Sequence, residues 1–206
     1  MKLYYSPGAC SMAPHIVLRE TGADVTLAKV DLAAKKLDDG SDYRAINPKG
    51  AVPALELADG SVLTENAAIL QYIADEHSGG DLIPLSGIRR YRVLEWLTYI
   101  STELHKGFGP LWNPSFSAEA KELARKYLGV KFDFVQERMG DAPYLTGEAF
   151  TIADAYLFVI LNWTGIHGID LSRWPGLTAF VQRVGARPAV QEAQGAAGLA
   201  KQPPAG

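Results

Sequence analysis

Lys2-Leu3-Tyr4-Tyr5-Ser6-Pro7-Gly8-Ala9-Cys10-Ser11-Met12-Ala13-Pro14-His15-Ile16-Val17-Leu18-Arg19-Glu20 is the stretch whose reading decides the fold. Leu3, Tyr4 and Tyr5 favour a strand, Ser6-Pro7-Gly8 signals a turn, and the apolar spacing from Met12 to Val17 predicts a helix. Pro14 falls in the first turn of that helix, where a missing N–H costs little. Cys10 stands where turn becomes helix. Unpaired N–H groups and partial positive charge at a helix N-terminus favour a thiolate, so a cysteine there can be unusually acidic. A small buried side chain is the competing account of the same residue.

Thr21-Gly22 reads as a helix stop, and Val25 to Val30 alternates as a second strand. A strand, helix and strand in about thirty residues predict a parallel pair with a right-handed crossover. That puts Cys10 at the C-terminal edge of the first strand, where open α/β sheets bind ligands. Residues 35 to 50, polar and ending in Asn47-Pro48-Lys49-Gly50, read as a mobile surface crossing. Two short runs around Asp59-Gly60 give a hairpin, with Pro53 at a strand start or edge. Thr64-Glu65-Asn66 then opens a helix whose apolar face is Ile69, Leu70, Tyr72 and Ile73. The Gly- and Pro-containing stretch 78–87 is the linker, and no strand pattern follows it. Helices are expected at about 88–108, 118–139, from Thr151, from Trp174-Pro175 to Ala186, and after Arg187-Pro188. The tail from Gly195 to Gly206 is expected to fray. The layout is an α/β domain over residues 1–80 and an all-helical domain over 87–200.

With 206 residues, 48% of them hydrophobic, the chain has enough apolar material for such cores. A net charge of −3 without a basic stripe argues against nucleic acid and anionic membrane as partners. One cysteine excludes an internal disulfide framework and any multi-thiolate metal cage, and points to a reducing, cytoplasmic setting. No metal is expected, since none of the four histidines shares a ligand spacing with another. The N-terminus lacks a signal-peptide core, and no apolar run reaches membrane-spanning length. There is no Gly-x-Ser-x-Gly elbow, Walker loop or dinucleotide fingerprint.

Two features of the second half carry further information. Thr151-Ile152-Ala153-Asp154 is a capping pattern with Asp in place of the usual Glu or Gln, read as helix initiation. In the 88–108 helix, Val93, Leu97, Ile100 and Leu104 form an apolar stripe. Thr98, Thr102 and His105 form a polar one about 140° away.

Five segments are similar to those of bacterial beta-class glutathione S-transferases: the opening Met1 to Ser11, Asn47 to Leu55, Leu63 to Asn66, Tyr99 to Lys106 and Phe150 to Tyr156. They run in the family order and span residues 1 to about 194. The resemblance implies a thioredoxin-like N-terminal domain, an all-α C-terminal domain, and a homodimer with two glutathione sites at the domain boundary. It implies glutathione as co-substrate and a small hydrophobic electrophile as its partner. Cys10 matches the family cysteine beside the glutathione sulfur, able to form a mixed disulfide with it, and His105 would act on that sulfur from the helical domain. Val52 precedes the family cis-proline, here Pro53, and would pair its backbone with the cysteinyl part of glutathione. Glu65 and Asn66 match the pair that grips the γ-glutamyl end, and Lys35 a base for the glycyl carboxylate. Thr98, Thr102, Glu103 and Leu104 match positions lining the site, some from the partner subunit. The chain departs from part of the family at Asn66, where serine is common, and at Thr98, where some members have asparagine and threonine lacks the amide donor. Phe108, Trp112, Phe116 and Trp163 are the candidates for the electrophile site, with core packing the competing account for at least half. Conjugation is the first reading of activity. A thiol-disulfide reductase cycling Cys10 through a mixed disulfide and a non-catalytic carrier of hydrophobic ligands are the alternatives, with reductive dehalogenation a narrower variant.

Overall fold

Strand β1 (Lys2–Tyr5) is the centre of the first half, because Leu3, Tyr4 and Tyr5 are all buried and can be covered on both flanks. A computed structural model describes residues 1–199; Ala200 and the rest of the tail, where fraying was expected, lie outside the described residues. Helix α1 (Met12–Thr21) follows β1 and stops at Gly22, whose left-handed backbone (φ 64°) lets its N–H reach the carbonyls of Leu18 and Arg19. Strand β2 (Thr26–Asp31) then pairs parallel with β1, Leu3 opposite Leu27, as the crossover predicts. The short β3 (Lys36–Leu37) lies antiparallel on β2. On the other flank β4 (Ala54–Glu56) runs antiparallel to β1, and β5 (Val62–Thr64) to β4, across the Asp59-Gly60 turn. The five-stranded order is β3-β2-β1-β4-β5, followed by α2 (Asn66–His77).

The segment read as a mobile crossing is anchored instead. Tyr43 and Asn47 are buried, and both side chains donate to the Ala51 carbonyl, at 2.9 and 2.7 Å. The polarity that looked like surface character serves to satisfy a buried backbone turn.

The second half is helical throughout: α3 (Gly87–Tyr99), α4 (Gly109–Trp112), α5 (Ala118–Met139), α6 (Ile152–Leu161), α7 (Trp163–Ile166) and α8 (Pro175–Gly185). Helix α6 is buried at every position, so it is the axis of this unit. Its start matches the predicted capping pattern. The Asp154 carboxylate accepts from the Thr151 N–H and hydroxyl, both at 2.8 Å, and from the Leu145 N–H at 2.9 Å.

Two boundaries differ from expectation. Among the described residues the chain groups into Met1–Leu85 with residues 186–199, and Ser86–Gly185. The last helix, α9 (Pro188–Ala196), therefore leaves the 87–200 domain read from the sequence: it packs on α1, tied by Arg187 to Glu20 through paired bonds of 2.6 and 2.8 Å. The helix expected over 88–108 is regular only to Tyr99; a wider π-helical turn covers Ile100–His105 and a tighter 3₁₀ turn Lys106–Phe108. Widening the turn changes the phase of everything after it. The polar stripe extrapolated at constant pitch is consequently split: Thr98 and Thr102 stay exposed, while His105 meets the rings of Tyr156 and Trp163.

Candidate functional site

In the first unit, the turn between β1 and α1 is held by Ser11, whose hydroxyl donates to the Ser6 carbonyl (3.2 Å) and accepts the Ser6 N–H (3.1 Å). That closes the loop and sets Cys10 just ahead of the helix. Its thiol donates to the Val52 carbonyl at 3.4 Å, and the Val52–Pro53 peptide is cis. Cys10 is buried, and in this bond its sulfur keeps the proton. Val52 belongs to a small core with Tyr4, Val30, Tyr43 and Ala54. Burial pushes the Tyr43 hydroxyl up to about 12, so it remains a donor to Ala51 at any physiological pH. Tyr43, Asn47 and Cys10 thus fix two successive carbonyls.

Lys35 sits at a positive φ of 58° and donates its ammonium to the Gly50 carbonyl at 2.9 Å, two residues from Val52. Glu65, just before α2, holds φ 73°, a conformation rare for a residue with a side chain. Its exposed carboxylate pairs with Lys49, which also donates to the Thr64 hydroxyl at 2.8 Å. Asn66 opens the helix. It is buried, and among the described residues neither its amide oxygen nor its amide nitrogen has a hydrogen-bond partner. Among the described residues the Glu65 side chain makes no capping hydrogen bond to α2.

The second unit holds a ring cluster. His105 Nδ1 lies 2.6 Å from the Tyr156 hydroxyl, and the Trp163 ring stands edge-on to the imidazole with centroids 5.1 Å apart. Trp163 in turn meets Phe108 and Trp112, each at 5.5 Å, and Trp112 meets His167 at 4.2 Å. Phe108 is fully buried and Trp163 nearly so, while Trp112 presents its ring to solvent. Desolvation, followed by the nearby Arg125, lowers the His167 imidazole below its ordinary value, keeping it neutral among these rings.

A glutathione S-transferase N-terminal domain model matches residues 8–76 and a glutathione S-transferase C-terminal domain model matches 99–188. The chain belongs to the glutathione S-transferase family. Glutathione S-transferase GstA of Escherichia coli O157:H7 is 50% identical over 200 residues, 97% of this chain and 100% of the relative. Two solved structures superpose with TM-scores of 0.93 at 46% identity, each over 97% of this chain and 100% of the other. One is a sphingomonad glutathione S-transferase complexed with glutathione, the other a bacterial beta-class enzyme of Sphingomonas chungbukensis.

Within this glutathione S-transferase fold the residues singled out from the sequence fall into separate groups. Cys10, Val52 and Pro53 come together in one assembly, with Lys35 beside it through Gly50, and Glu65 and Asn66 stand at the start of α2. His105, Phe108, Trp112 and Trp163 share the ring cluster of the helical unit. The Thr98 and Thr102 hydroxyls donate back to the Leu94 and Thr98 carbonyls of their own helix, at 2.9 and 3.0 Å, so only their lone pairs face outward. The Glu103 carboxylate is paired with Lys131, which together with its hydrogen bond lowers it below the usual carboxylate range. Leu104 has its side chain fully buried, which leaves its backbone as the part able to meet a ligand. Phe116 is exposed in the loop after α4 and makes no ring contact with the cluster among the described residues. Sequence reading missed Tyr43, Asn47 and Tyr156. The first two sat in a stretch whose polarity mimicked a loop, and Tyr156 in a run so apolar that only its hydroxyl, which needs a partner once buried, marked it.

Proposed function

We propose that the chain catalyses attack of the glutathione thiolate on a small hydrophobic electrophile. The observation that carries this reading is the buried amide of Asn66 at the start of α2, without a hydrogen-bond partner among the described residues. Leaving such a donor and acceptor unmade costs about 1–3 kcal/mol each, and a ligand that meets both recovers it. The matching group is an amino-acid head: its carboxylate takes the amide N–H and the helix N-terminus, and its ammonium donates to the amide oxygen. Glutathione carries such a head on its γ-glutamyl end, and the sphingomonad relative was solved with glutathione bound.

From that anchor the tripeptide extends toward the Val52–Pro53 peptide, with Lys35 for its glycyl carboxylate and Cys10 beside its sulfur. Cys10 acts as a hydrogen-bonding wall, its S–H turning from the Val52 carbonyl to the substrate thiolate. The thiolate's electron pair forms the carbon–sulfur bond and the electrophile's leaving group departs with its own pair. His105 steadies the sulfur anion, and the exposed ring of Trp112 is the apolar platform for the electrophile. The protein works as a homodimer in the cytoplasm. Supporting the dimer, α5 carries a second apolar stripe, Leu123, Tyr127, Val130 and Phe134, all exposed in the single chain and separate from its buried stripe. Among the described residues no helix is long and apolar enough to cross a membrane.

Conjugation of glutathione to a chlorinated nitroaromatic tests the reading. Asn66→Ala should raise KM for glutathione at least tenfold with the circular dichroism spectrum preserved. An unchanged KM would remove Asn66 from the glutathione site. Cys10→Ala should retain conjugation and lose turnover of a glutathionylated disulfide; unchanged disulfide turnover in the variant would remove Cys10 from thiol exchange, and wild-type turnover of that disulfide well above that of the nitroaromatic would make thiol exchange the main activity.

A further inference from the structure

The geometry points to Tyr156 as the positioning residue that holds His105 in its Nε2–H tautomer. Tyr156 stands on α6, two residues past Asp154, and is buried along with the whole of that helix. A buried phenol keeps a hydrogen-bond partner, and here the Nδ1 of His105 lies 2.6 Å from the oxygen. Two assignments of the proton are open to such a pair. A phenol is a better donor than a neutral imidazole N–H, and an unprotonated imidazole nitrogen is a better acceptor than a phenol oxygen. The stronger bond therefore has Tyr156 donating to Nδ1, which leaves the ring proton on Nε2.

The surroundings keep that arrangement in register. The imidazole stands edge-on to the Tyr156 ring, at 5.8 Å and 86°, and to the Trp163 ring, at 5.1 Å and 71°. Those two contacts limit rotation of the ring about its bond to the backbone. The carboxylate of Asp154 fixes the first turn of α6 through three hydrogen bonds, so the hydroxyl is carried by a helix whose start is anchored. The wide turn over Ile100–His105 gives the imidazole the phase needed to meet it. His105 is then supplied as a neutral Nε2–H donor, suited to stabilising a sulfur anion rather than to removing a proton. The catalytic consequence rests on the proposed role of His105; the tautomer does not.

Nitrogen-15 NMR of the full-length protein, with His105 assigned by comparison with His105→Gln, reads the tautomer directly. The wild type should show a protonated Nε2 and an unprotonated Nδ1 at neutral pH. Tyr156→Phe, which keeps the ring, should shift both nitrogens toward the averaged values of a free imidazole and move the His105 titration. The same variant should lower kcat for conjugation about tenfold, the loss of one ordinary hydrogen bond, with KM for glutathione changed less than twofold. A wild-type spectrum with Nδ1 protonated overturns the proposal without any variant, as does an unchanged His105 tautomer in Tyr156→Phe. If His105→Gln conjugates at the full rate while the tautomer behaves as described, the proposed role of His105 in the reaction fails and the positioning by Tyr156 stands.

Discussion

Replacing Asp154 with alanine removes the acceptor for two buried N–H groups, those of Leu145 and Thr151, and for the Thr151 hydroxyl. Each stranded N–H costs about 1–3 kcal/mol, whereas the hydroxyl can turn toward another acceptor. Against this stands the burial of the carboxylate itself, which pushes Asp154 up from 3.8 to about 6 and which alanine relieves. That relief is worth about 3 kcal/mol, so the balance at pH 7 is a loss of up to about 3 kcal/mol. All four tryptophans, at 96, 112, 163 and 174, lie in the helical unit, so urea unfolding followed by tryptophan fluorescence reports on that unit. The pH dependence supplies a second signature. Below pH 6 the folded chain binds a proton at Asp154 that the unfolded chain does not take up until about 3.8, so the wild type gains stability as pH falls and the alanine variant does not. The gap should widen by about 1.4 kcal/mol between pH 7 and pH 5. A gap under about 1 kcal/mol at both pH values would refute the assignment of these bonds as the anchor of α6.

Further outcomes follow from particular contacts. His15 runs in the opposite sense to Asp154: burial, then the neighbouring Arg19, lowers it from 6.5 to about 4. Between those values the unfolded chain holds the extra proton, and stability of the first unit should fall by about 3 kcal/mol as pH drops through the window. Hydrogen exchange corrected for intrinsic rates should show α1 losing protection from pH 6.5 to 4.5 while α6 keeps it; equal loss in both would contradict this. In Gly107→Ala the new methyl would meet Cδ2 of the buried Leu128 at 2.9 Å, and the variant should lose about 1–3 kcal/mol by the same fluorescence assay; a neutral result would show that Leu128 can move aside. Arg187→Ala breaks the paired bond to Glu20 and strands a mostly buried carboxylate, so limited proteolysis should cut near α9 sooner, at a cost of about 1–3 kcal/mol. Cleavage at the wild-type rate would mean that packing on α1 alone holds the helix.

Local signals in the sequence reached most of the architecture. The opening strand, turn and helix, the Gly22 stop, the Asp59-Gly60 hairpin and the Thr151–Asp154 cap each write their own backbone conformation into a few adjacent residues, and each appears where it was read. What was not legible depended on contacts distant in sequence. Asn47 looks like a loop residue until Ala51 requires its amide, and the α9 segment looks like a continuation of the helical half until Glu20 and α1 claim it. The wide turn at Ile100–His105 has no composition of its own, and assuming constant pitch through it misplaced His105 relative to Thr98 and Thr102. Asn66 shows the same limit at the site: its identity could be matched to a family position, but its missing partners are visible only in the fold.

On the proposed function, the first unit holds glutathione by its amino-acid head at Asn66. Calorimetric titration of the full-length protein with glutathione, in the wild type and in Asn66→Ala, tests it without reference to any electrophile. Binding should be saturable in the wild type and at least tenfold weaker in the variant, with γ-glutamylcysteine still competing for the wild-type site and cysteinylglycine, which lacks that head, failing to compete. Equal affinity in the two proteins, or competition by cysteinylglycine as strong as by γ-glutamylcysteine, would contradict it.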